Sequence, residues 1–437
     1  MKHLVAVVGR PNVGKSTLFN KIVGQRLSIE GDMAGITRDR IYADAWWREF
    51  DFTLVDTGGL DRGDDIILKQ IYTQAQLAIE LATVIVFVVD GRSGVVEGDL
   101  EVAQLLRKSK KPVVLVANKI DNMKQSPPPE FYDFYALALG DPIAVSASQS
   151  LGLGDMLDKI VDNFPPQTLQ EDEDDYIKVA IVGKPNVGKS SLINKILGQN
   201  RLIVTNIPGT TRDAIDTYYQ KDDKKYIFID TAGIRRKSKV KEAIERYSII
   251  RSIAAVERCD ICILIISAEE GITEQDTKII GLAHESGKAS IIAVNKWDAI
   301  EKDNNTMRRF IKDIEEKLAY MPYAPKIFIS ALTGQRLHTI FDNINTVYQN
   351  ANHRVGTGIL NDVLIEATAH NPPPFEKGKN LKIYYTTQVK VKPPTFVLFV
   401  NDNELLHFSY KRYLENRFRE AFGFNGTPIH FLVRTKN

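Results

Sequence analysis

The amino-acid sequence predicts an α/β protein in which two tandem copies of a mostly parallel sheet, flanked by helices, precede a small α+β domain. The first observation is a repeat: GRPNVGKST, which begins at Gly9, returns as GKPNVGKSS, which begins at Gly183. The second is that short apolar runs alternate with longer amphipathic ones in each copy, which is typical of parallel strands covered by helices on both faces. The third is that this alternation ends near Asn350, which leaves a last stretch of different pattern.

Five motif positions recur in the same order in the two halves, which indicates a duplicated domain rather than an array of short repeats. The pairs are Gly9 with Gly183, Thr37 with Thr211, Asp56 with Asp230, Asn118 with Asn295, and Ser146 with Ser330. The first three pairs are 174 positions apart, and the last two are 177 and 184 apart. The increase indicates small insertions in the second copy, and such insertions belong in loops.

The elements of the first copy follow from its apolar runs and from its helical periodicity. Strands are predicted at 4–8, 52–56, 84–90, 113–118 and 143–145, and helices at 100–108 and 155–161. In the last domain, alternation predicts a strand at 381–391, KPPTFVLFVN a second one, and the remaining pattern a helix near 410–422 and a final strand at 429–433.

The segment between the copies contains a proline pair and five consecutive acids at 171–175, which cannot bury apolar surface and therefore predict a solvated linker. Regulation through this acidic patch is the alternative interpretation. We expect four parts: residues 1–166 and 177–350 as the two copies, 167–176 as the acidic linker, and 351–437 as the α+β domain.

Composition excludes several classes of protein. The 57 Lys and Arg residues nearly balance the 55 Asp and Glu, so any basic surface must be local; the last domain, with twelve basic and seven acidic residues, is the place where one occurs. Two cysteines exclude a disulfide scaffold. We expect no signal peptide, because the first residues have a buried-strand pattern, and the apolar runs are shorter than the ~20 residues that a membrane span needs. We expect a cytoplasmic protein.

The repeated loop has the pattern GxxxxGK[ST], in which glycines let backbone N–H groups turn toward bound phosphates at the start of a helix. Lys15 and Lys189 would neutralise β- and γ-phosphate charge. Each loop follows an apolar strand and precedes an amphipathic stretch, as the pattern requires. The loop alone indicates a nucleotide but does not identify the base.

Two further motifs supply hard oxygen ligands and a close approach to the γ-phosphate. Asp56 and Asp230 end apolar strands, where a carboxylate can face Mg2+ opposite the hydroxyl of Ser16 or Ser190. Gly59 and Gly233 would let the backbone approach the γ-phosphate. Thr37 and Thr211 are surface turns when each is taken alone, but their recurrence within GxTRD favours completion of the metal shell from a loop.

NKID and NKWD indicate the base. A carboxylate that accepts from two adjacent donors, N1–H and the 2-amino group, fits guanine, whereas adenine offers neither donor there. A mispaired buried acceptor costs a few kcal/mol, on the order of 100-fold in affinity. Asp121 and Asp298 therefore predict guanine selection. Asn118 and Asn295 would tie this loop to the phosphate loop.

The lysine stems of these motifs would lie over the purine, and the Ser-Ala pairs that follow would present backbone N–H groups to the guanine O6.

The ordered set GxxxxGKS, Thr, DxxG, NKxD and SA[SL] resembles that of translation-factor-class GTPases. Two such sets followed by a small α+β domain resemble the bacterial Der (EngA) family over essentially the whole chain. The resemblance implies two tandem P-loop GTPase domains and a C-terminal KH-like domain, with GTP, GDP and Mg2+ bound. It also implies a role in maturation of the large ribosomal subunit through docking on rRNA. We expect a monomer that binds neither DNA nor a membrane.

The resemblance assigns nucleotide-contacting positions residue by residue. In the first copy they are Gly9, Arg10, Pro11, Asn12, Val13, Gly14, Lys15, Ser16, Thr17, Asp56, Thr57, Gly58, Gly59, Leu60, Asn118, Lys119, Ile120, Asp121, Ser146 and Ala147. In the second copy they are Gly183, Lys184, Pro185, Asn186, Val187, Gly188, Lys189, Ser190, Ser191, Asp230, Thr231, Ala232, Gly233, Ile234, Asn295, Lys296, Trp297, Asp298, Ser330 and Ala331. The expected catalytic residues are Lys15, Thr37, Asn12, Lys189, Thr211 and Asn186, and the expected metal ligands are Ser16, Thr37, Asp56, Ser190, Thr211 and Asp230.

One departure changes the expected mechanism. Ras-like enzymes orient the attacking water with a Gln after DxxG, but Leu60 and Ile234 stand here and cannot polarise water. The chain is similar to GTPases with a hydrophobic residue at this position, several of which use K+ held partly by an asparagine of the phosphate loop. Asn12 and Asn186 match that asparagine; the alternative is that they only cap the loop backbone.

Other segments have structural and functional interpretations side by side. The basic segment at 235–251 is either a solvated helix or a switch that moves cations toward RNA or a neighbouring domain. GFNG, at 423–426, resembles the KH clamp but follows the helix, so we interpret it as a helix cap and turn, and any RNA contact would use another face. Tyr384, Tyr385 and Phe396 favour core packing over base stacking. CDIC favours two structural thiols.

Three functions remain open at this point. The first is an assembly factor with two hydrolysing sites, and the second is a switch in which one copy holds nucleotide and barely hydrolyses it. The third is a GTP-dependent membrane or tRNA-modification factor, which the lack of an amphipathic anchor and of a Cys-tailed C terminus disfavours.

Overall fold

The computed structural model describes residues 3–27, 42–56, 76, 79, 82–122, 127–165, 175–199, 216–230, 244–373, 375–376 and 379–435. They belong to two compact units, Met1–Gln170 and Glu171–Asn437.

The strands of the first unit are β1 His3–Val8, β2 Tyr42–Trp47, β3 Phe50–Asp56, β4 Val84–Asp90, β5 Val113–Asn118 and β6 Ile143–Ala144. Its helices are α1 Lys15–Leu27, α2 Glu97–Ser109, α3 Pro129–Tyr132, which continues as a 3-10 turn over Asp133–Leu137, and α4 Leu153–Asp162. The sheet order is β2-β3-β1-β4-β5-β6, and β2 alone runs antiparallel to its neighbour.

The second unit repeats this plan and adds the last domain. The strands of the repeat are β7 Tyr176–Val182, β8 Thr217–Lys221, β9 Lys224–Ile229, β10 Ile261–Ser267, β11 Ala289–Asn295 and β12 Lys326–Phe328. Its helices are α5 Lys189–Gln199, α6 Ile244–Arg258, α7 Glu274–Glu285, α8 Thr306–Lys317 and α9 His338–Asn352. The order β12-β11-β10-β7-β9-β8 matches that of the first sheet, with β8 antiparallel.

The sheets are mostly parallel because their central strands are apolar on both faces. All residues of β10 are buried, and in β4 only Asp90, at the carboxyl end, is not. Such strands need helices on both sides. In this architecture a ligand binds beyond the carboxyl ends of the strands, and the predicted motifs lie at those ends. The predicted fold class is confirmed.

The three predicted helices begin two or three residues earlier than expected, and the difference is largest in α2. Helix α2 begins at Glu97, whereas apolar periodicity placed its start at 100. The Asp99 carboxylate accepts the backbone N–H of Val96 at 3.4 Å and so begins the helix with a polar turn. Apolar spacing cannot reveal such a start.

The last domain packs two helices on one face of a small sheet. Its helices are α10 Thr357–His370 and α11 Phe408–Phe422, with a 3-10 turn at Asn403–Leu405. Its strands are β13 Phe375–Glu376, β14 Lys379–Asn380, β15 Ile383–Lys390, β16 Thr395–Val400 and β17 His430–Thr435. Strand β16 pairs antiparallel with β15 and parallel with β17. Phe396 is part of its core, as predicted. The same prediction is wrong for Tyr384 and Tyr385, which are 49% and 38% exposed.

The GFNG loop caps a helix and joins two domains of the second unit. Gly423 follows the end of α11 and its N–H donates to the Arg419 carbonyl at 2.9 Å, so the predicted helix cap is confirmed. Gly426 donates to Tyr323 O at 2.9 Å and accepts from Ser290 N at 2.7 Å, both in the preceding domain. A Cβ on Gly426 would lie 2.2 Å from a methyl carbon of Val347. This loop is therefore an interdomain contact.

The two cysteines are structural, as predicted. Cys259 and Cys262 are both buried and free, and burial raises the pKa of the Cys259 thiol to about 12. Within the described ranges no three His, Cys, Asp or Glu side chains form a metal-holding group. No helix in the described part of the chain is both long and apolar enough to cross a bilayer.

Candidate functional site

The two phosphate loops begin at glycines that no other residue could replace without a shift. Gly9 and Gly183 follow β1 and β7 with φ of 155° and 141°. A Cβ at Gly9 would lie 2.3 Å from Val88 O, and one at Gly183 would lie 2.4 Å from Ile265 O. Each loop therefore passes directly against the neighbouring strand, β4 or β10. The chain then continues into the first turn of α1 or α5.

The lysine of each loop folds back over the backbone that precedes it. Lys15 Nζ donates to the carbonyl oxygens of Gly9 at 2.7 Å and Arg10 at 2.8 Å. Lys189 makes the same two bonds in the second copy, both at 2.6 Å. Burial lowers the pKa of Lys189 to about 8. The ammonium groups are thus held above the loops, where phosphate charge would be neutralised.

Two of the predicted metal ligands, Ser16 and Asp56, come together in the first copy. Ser16 Oγ donates to Asp56 Oδ2 at 2.7 Å, and Asp56 is buried. In the second copy, Asp230 has a positive φ of 56° and donates its backbone N–H to Asp216 Oδ1 at 2.9 Å. The other carboxylate oxygen of Asp216 accepts from Arg258, at the end of α6. In the first copy, the Ser16 hydroxyl and the Asp56 carboxylate thus form a pair of hard oxygen ligands that suits Mg2+.

An asparagine clamps the base loop to the phosphate loop in both copies. Asn118 Nδ2 donates to Val13 O at 2.8 Å, and its Oδ1 accepts the Ala147 N–H at 3.0 Å. Asn295 makes the equivalent bonds at 2.8 and 2.9 Å. One side chain therefore connects three motifs, and its position is the same in each copy.

The clamp explains the second glycine of each phosphate loop. Gly14 and Gly188 have φ of 95° and 99°. Cβ atoms there would lie 2.3 and 2.2 Å from the amide nitrogens of the clamping asparagines. Both the backbone conformation and the close approach therefore require glycine.

The carboxylates expected to select guanine have different surroundings. Asp121 Oδ1 accepts from Ser146 Oγ at 2.6 Å and Ser148 Oγ at 3.4 Å, and its Oδ2 accepts from the Arg92 guanidinium. The Ser146 hydrogen bond, with help from Arg92, holds the pKa of Asp121 below its usual range. Asp298 is exposed and accepts no hydrogen bond from any other residue that the structure describes.

The lysine beside each of these carboxylates is paired by a different residue in each copy. Lys119 Nζ donates to Asp90 Oδ2 at 2.7 Å, whereas Lys296 Nζ donates to Glu269 Oε2 at 2.6 Å. Burial alone would raise the pKa of Asp90, but the bonds from Lys119 and from a backbone N–H outweigh it and lower the pKa. In both copies an ion pair fixes the stem that would cover a purine.

The Ser-Ala loops offer fewer N–H groups than the sequence suggests. Ser146 N donates to Leu151 O at 3.0 Å and Ala147 N donates to Asn118, so both groups already have acceptors. The backbone N–H groups of Ser148 and Leu332, one residue further along, donate to no described residue. Among the described residues these two N–H groups have no acceptor, so they can donate to a purine oxygen.

Several predicted site residues lie outside the described ranges. They are Thr37, Thr57, Gly58, Gly59, Leu60, Thr211, Thr231, Ala232, Gly233 and Ile234, together with 235–243 of the basic segment. Asn12 and Asn186 are described, with φ of 66° and 65°, and their side chains bond to no described residue. The described chain thus gives no support to the alternative that they cap the loop backbone.

Sequence reasoning missed the loop after β4 and β10, which contributes side chains to the rim of each site. Arg92 and its counterpart Glu269 have opposite charges, and each contacts a residue of the NKxD motif. Alignment of DGRSG with SAEEG would have identified the position. It would not have identified the contact, because the two loops carry side chains of opposite charge at this position.

Comparisons with known proteins follow the same division of the chain. A family model described as 50S ribosome-binding GTPase matches residues 4–119 and 178–296, and one described as KH-domain-like of EngA bacterial GTPase enzymes, C-terminal, matches residues 354–434. GTPase Der of Alkaliphilus metalliredigens is 60% identical over 437 residues, all of this chain and 99% of that protein. GTPase Der of Alkaliphilus oremlandii is 58% identical over 436 residues, with 100% and 99% covered.

Among solved structures, Era in complex with MgGDPNP and nucleotides 1506–1542 of 16S ribosomal RNA is 23% identical. It covers 60% of this chain and 93% of its own, with a TM-score of 0.32.

Proposed function

Because the chain belongs to the GTPase Der family and is a GTPase that binds guanine nucleotide, we propose that it acts in maturation of the large (50S) ribosomal subunit. In this proposal nucleotide state controls docking on rRNA, and both copies bind and hydrolyse GTP. The observation that carries the proposal of two working sites is the asparagine clamp, whose bond to the phosphate loop is 2.8 Å long in both copies.

The roles of individual residues are part of the proposal. Asp121 and Asp298 select guanine through its two adjacent donors, and Lys15 and Lys189 neutralise phosphate charge. The hydroxyl–carboxylate pair of Ser16 and Asp56, with its counterparts in the second copy, holds Mg2+. When bound, this ion offsets the charge that develops on the phosphate oxygens during transfer.

K+ stimulation is proposed for both copies. Leu60 and Ile234 cannot polarise water, and in this proposal K+ supplies the charge that an arginine supplies elsewhere. Support comes from Asn12 and Asn186, whose side chains form no hydrogen bond with described residues and keep their oxygens available for a cation. This role suits a hard amide oxygen.

The ribosomal partner is proposed from the family description and from charge. The domain after residue 350 has twelve basic and seven acidic residues, and counterion release favours its binding to phosphate-rich RNA. The GFNG loop packs against the preceding domain, so RNA contact uses a different face. We propose a cytoplasmic monomer with domains at 1–166, 177–350 and 351–437, joined by an acidic linker at 167–176.

Co-sedimentation with ribosomal subunits tests the partner. The full chain is mixed with separated large and small subunits under GDP, GTP or a non-hydrolysable GTP analogue and run on sucrose gradients. We expect the chain to migrate with the large subunit in at least one nucleotide state. Its absence from the large subunit in every state would remove this partner.

Single-turnover hydrolysis tests the two sites and the role of K+. Asp121→Asn and Asp298→Asn are each expected to abolish guanine selection in one copy, and xanthosine nucleotides, which offer an oxygen in place of the 2-amino group, should restore binding to the same copy. That rescue separates lost selection from misfolding. Each copy should hydrolyse faster in K+ than in Na+; equal rates would refute the K+ proposal. A copy that binds but barely hydrolyses would favour the second interpretation, a structural nucleotide.

A further inference from the structure

The residue that faces the guanine-selecting carboxylate differs in charge between the two copies. Arg92 and Glu269 occupy equivalent places after β4 and β10. Arg92 donates to Asp121, whereas Glu269 accepts from Lys296 and contributes nothing to Asp298. In the first copy the Lys119 ammonium donates to Asp90, so it does not compete with Arg92 for the Asp121 carboxylate. The hydrogen bonds around the guanine-selecting carboxylate therefore differ between the two copies.

Arg92 is directed at Asp121 by more than one contact. Its Nε donates to Lys119 O at 3.2 Å, and its backbone N–H donates to Asp90 Oδ1 at 3.0 Å. The guanidinium then reaches Asp121 Oδ2. These bonds aim an otherwise exposed side chain at one carboxylate oxygen.

The acceptor positions of Asp121 are nearly all in use. An ionised carboxylate has about four lone-pair positions. Ser146 and Ser148 donate to Oδ1, and Arg92 donates to Oδ2, which leaves about one. Guanine needs two, for N1–H and for the 2-amino group. One existing donor must therefore leave or share when guanine binds.

Ser148 is exposed and donates to Oδ1 at 3.4 Å, so this weak bond is lost at little cost and makes room there for one guanine donor. The second guanine donor meets Arg92, which among the described residues is the one donor to Oδ2. The Arg92 side chain is 66% exposed, so water can take over its hydrogen bonds. Ser146 is fully buried and its hydroxyl donates to Asp121 at 2.6 Å, so this bond remains when guanine binds. An exposed ion pair has only a small net stability, so exchanging it for guanine costs a modest factor in affinity.

The second copy lacks this competition. Asp298 accepts no hydrogen bond from the residues that the structure describes. Leu332 stands where Ser148 stands in the first copy and has no side-chain donor. Both oxygens of Asp298 can therefore accept from guanine without breaking an existing bond.

We propose that Arg92 competes with the guanine base for Asp121, and that this competition weakens nucleotide binding and speeds its release in the first copy only. The inference rests on the proposed role of Asp121 as the guanine-selecting group. It makes residue 92 a determinant of affinity that acts through Asp121, with no part in the hydrolytic step.

The test uses the full chain with Lys189→Ala, which removes the phosphate-binding cation of the second copy so that nucleotide binding reports the first. Arg92→Ala is compared with unchanged Arg92 by calorimetry with GDP and by the release rate of a fluorescent GDP. We expect GDP to bind between about two- and fivefold more tightly with Arg92→Ala, and to leave more slowly by a similar factor.

Inosine diphosphate provides the control that a structural effect cannot imitate. Hypoxanthine lacks the 2-amino group and offers a single donor, for which Asp121 has room while Arg92 stays. Arg92→Ala should therefore leave the affinity for inosine diphosphate within about twofold. Tighter binding of GDP alone supports the proposal. Weaker GDP binding, an unchanged affinity, or an equal gain for both nucleotides would overturn it.

The Asp121→Asn variant separates this inference from the proposed function. If Asp121→Asn keeps its affinity for GDP, the role of Asp121 itself is wrong. If Asp121→Asn exchanges GDP for xanthosine diphosphate while Arg92→Ala has no effect, only the role of Arg92 is wrong. Unchanged thermal unfolding of Arg92→Ala would show that the comparison is made between folded proteins.

Discussion

Replacing Gly426 with alanine should loosen the contact between the last domain and the one before it. Gly426 has a φ of 82°, where an L-residue costs about 1–2 kcal/mol. A Cβ there would also lie 2.2 and 2.8 Å from the two methyl carbons of Val347. Overpacking of this kind typically costs about 1–3 kcal/mol. Gly426→Ala should therefore destabilise the second unit by about 2–5 kcal/mol in total.

Gly423→Ala is the matched control in the same loop. Gly423 also has a positive φ, 90°, but a Cβ there would have nothing within 4 Å. It should therefore cost only the backbone strain, about 1–2 kcal/mol. The difference between the two variants isolates the contact with Val347.

Urea unfolding of the full chain measures the free energies, and hydrogen exchange locates the effect. The Ser290 amide donates to Gly426 O at 2.7 Å, so its exchange should accelerate in Gly426→Ala and not in Gly423→Ala. Val347→Ala should recover part of the loss in a double variant, because it removes the overlapping methyl groups. Equal costs for the two glycine variants, or no recovery by Val347→Ala, would refute the reasoning.

The other predictions concern the nucleotide sites. Gly14→Ala and Gly188→Ala should each lower guanine nucleotide affinity in their own copy by at least about tenfold, because the new Cβ would displace the clamping asparagine; calorimetry checks this, and a loss that spreads to the other copy would contradict it. GDP affinity of the second copy should fall about fourfold between pH 7 and 8.5, because the free Lys189 has a pKa of about 8 and bound phosphate favours its charged form. Lys189→Arg, which stays charged, should flatten that profile, and an equal slope in both proteins would exclude Lys189 as its source.

The same pKa also has a consequence for stability with a definite sign. The folded pKa of Lys189 is about 8 and the ordinary value is 10.5, so the unfolded chain binds more protons between them. The contribution of this group to the free energy of unfolding therefore rises with pH across that window. Nucleotide affinity and stability should respond to pH in opposite directions, which distinguishes a binding effect from unfolding.

Motif position and strand ends could be predicted from the sequence because both depend on local chemistry. A glycine pattern after an apolar strand admits few conformations, and the loops at Gly9 and Gly183 have the same one. The guanidinium of Arg92 could not be predicted in the same way. Its contact with Asp121 depends on Lys119 being paired with Asp90 instead. These residues come from two separate segments of the chain.

The contacts between domains were also beyond prediction from the sequence. GFNG has the pattern of a helix cap and forms one. Its second glycine is also required because a side chain there would overlap Val347, 79 positions earlier in the chain. Tyr384 and Tyr385 lie in a strand of the last domain, yet both are exposed, at 49% and 38%, whereas Phe396 of the neighbouring strand is in the core. Local periodicity does not tell which face is covered.

The two copies differ in the charge of their rims while the frame that holds them is the same. The clamp bonds agree within 0.1 Å between copies, at 2.8 and 3.0 Å in the first and 2.8 and 2.9 Å in the second. By contrast, the sequence DGRS after β4 becomes SAEE after β10, which replaces one acid and one base with two acids. This matching frame supports our proposal that both sites bind the same ligand. The four rim residues go from no net charge to a net charge of −2, which supports our inference that the two sites hold the nucleotide for different times. If so, exchanging these four residues between copies should exchange their GDP release rates while leaving guanine selection intact, and a swap that changes neither rate would contradict the role of the rim.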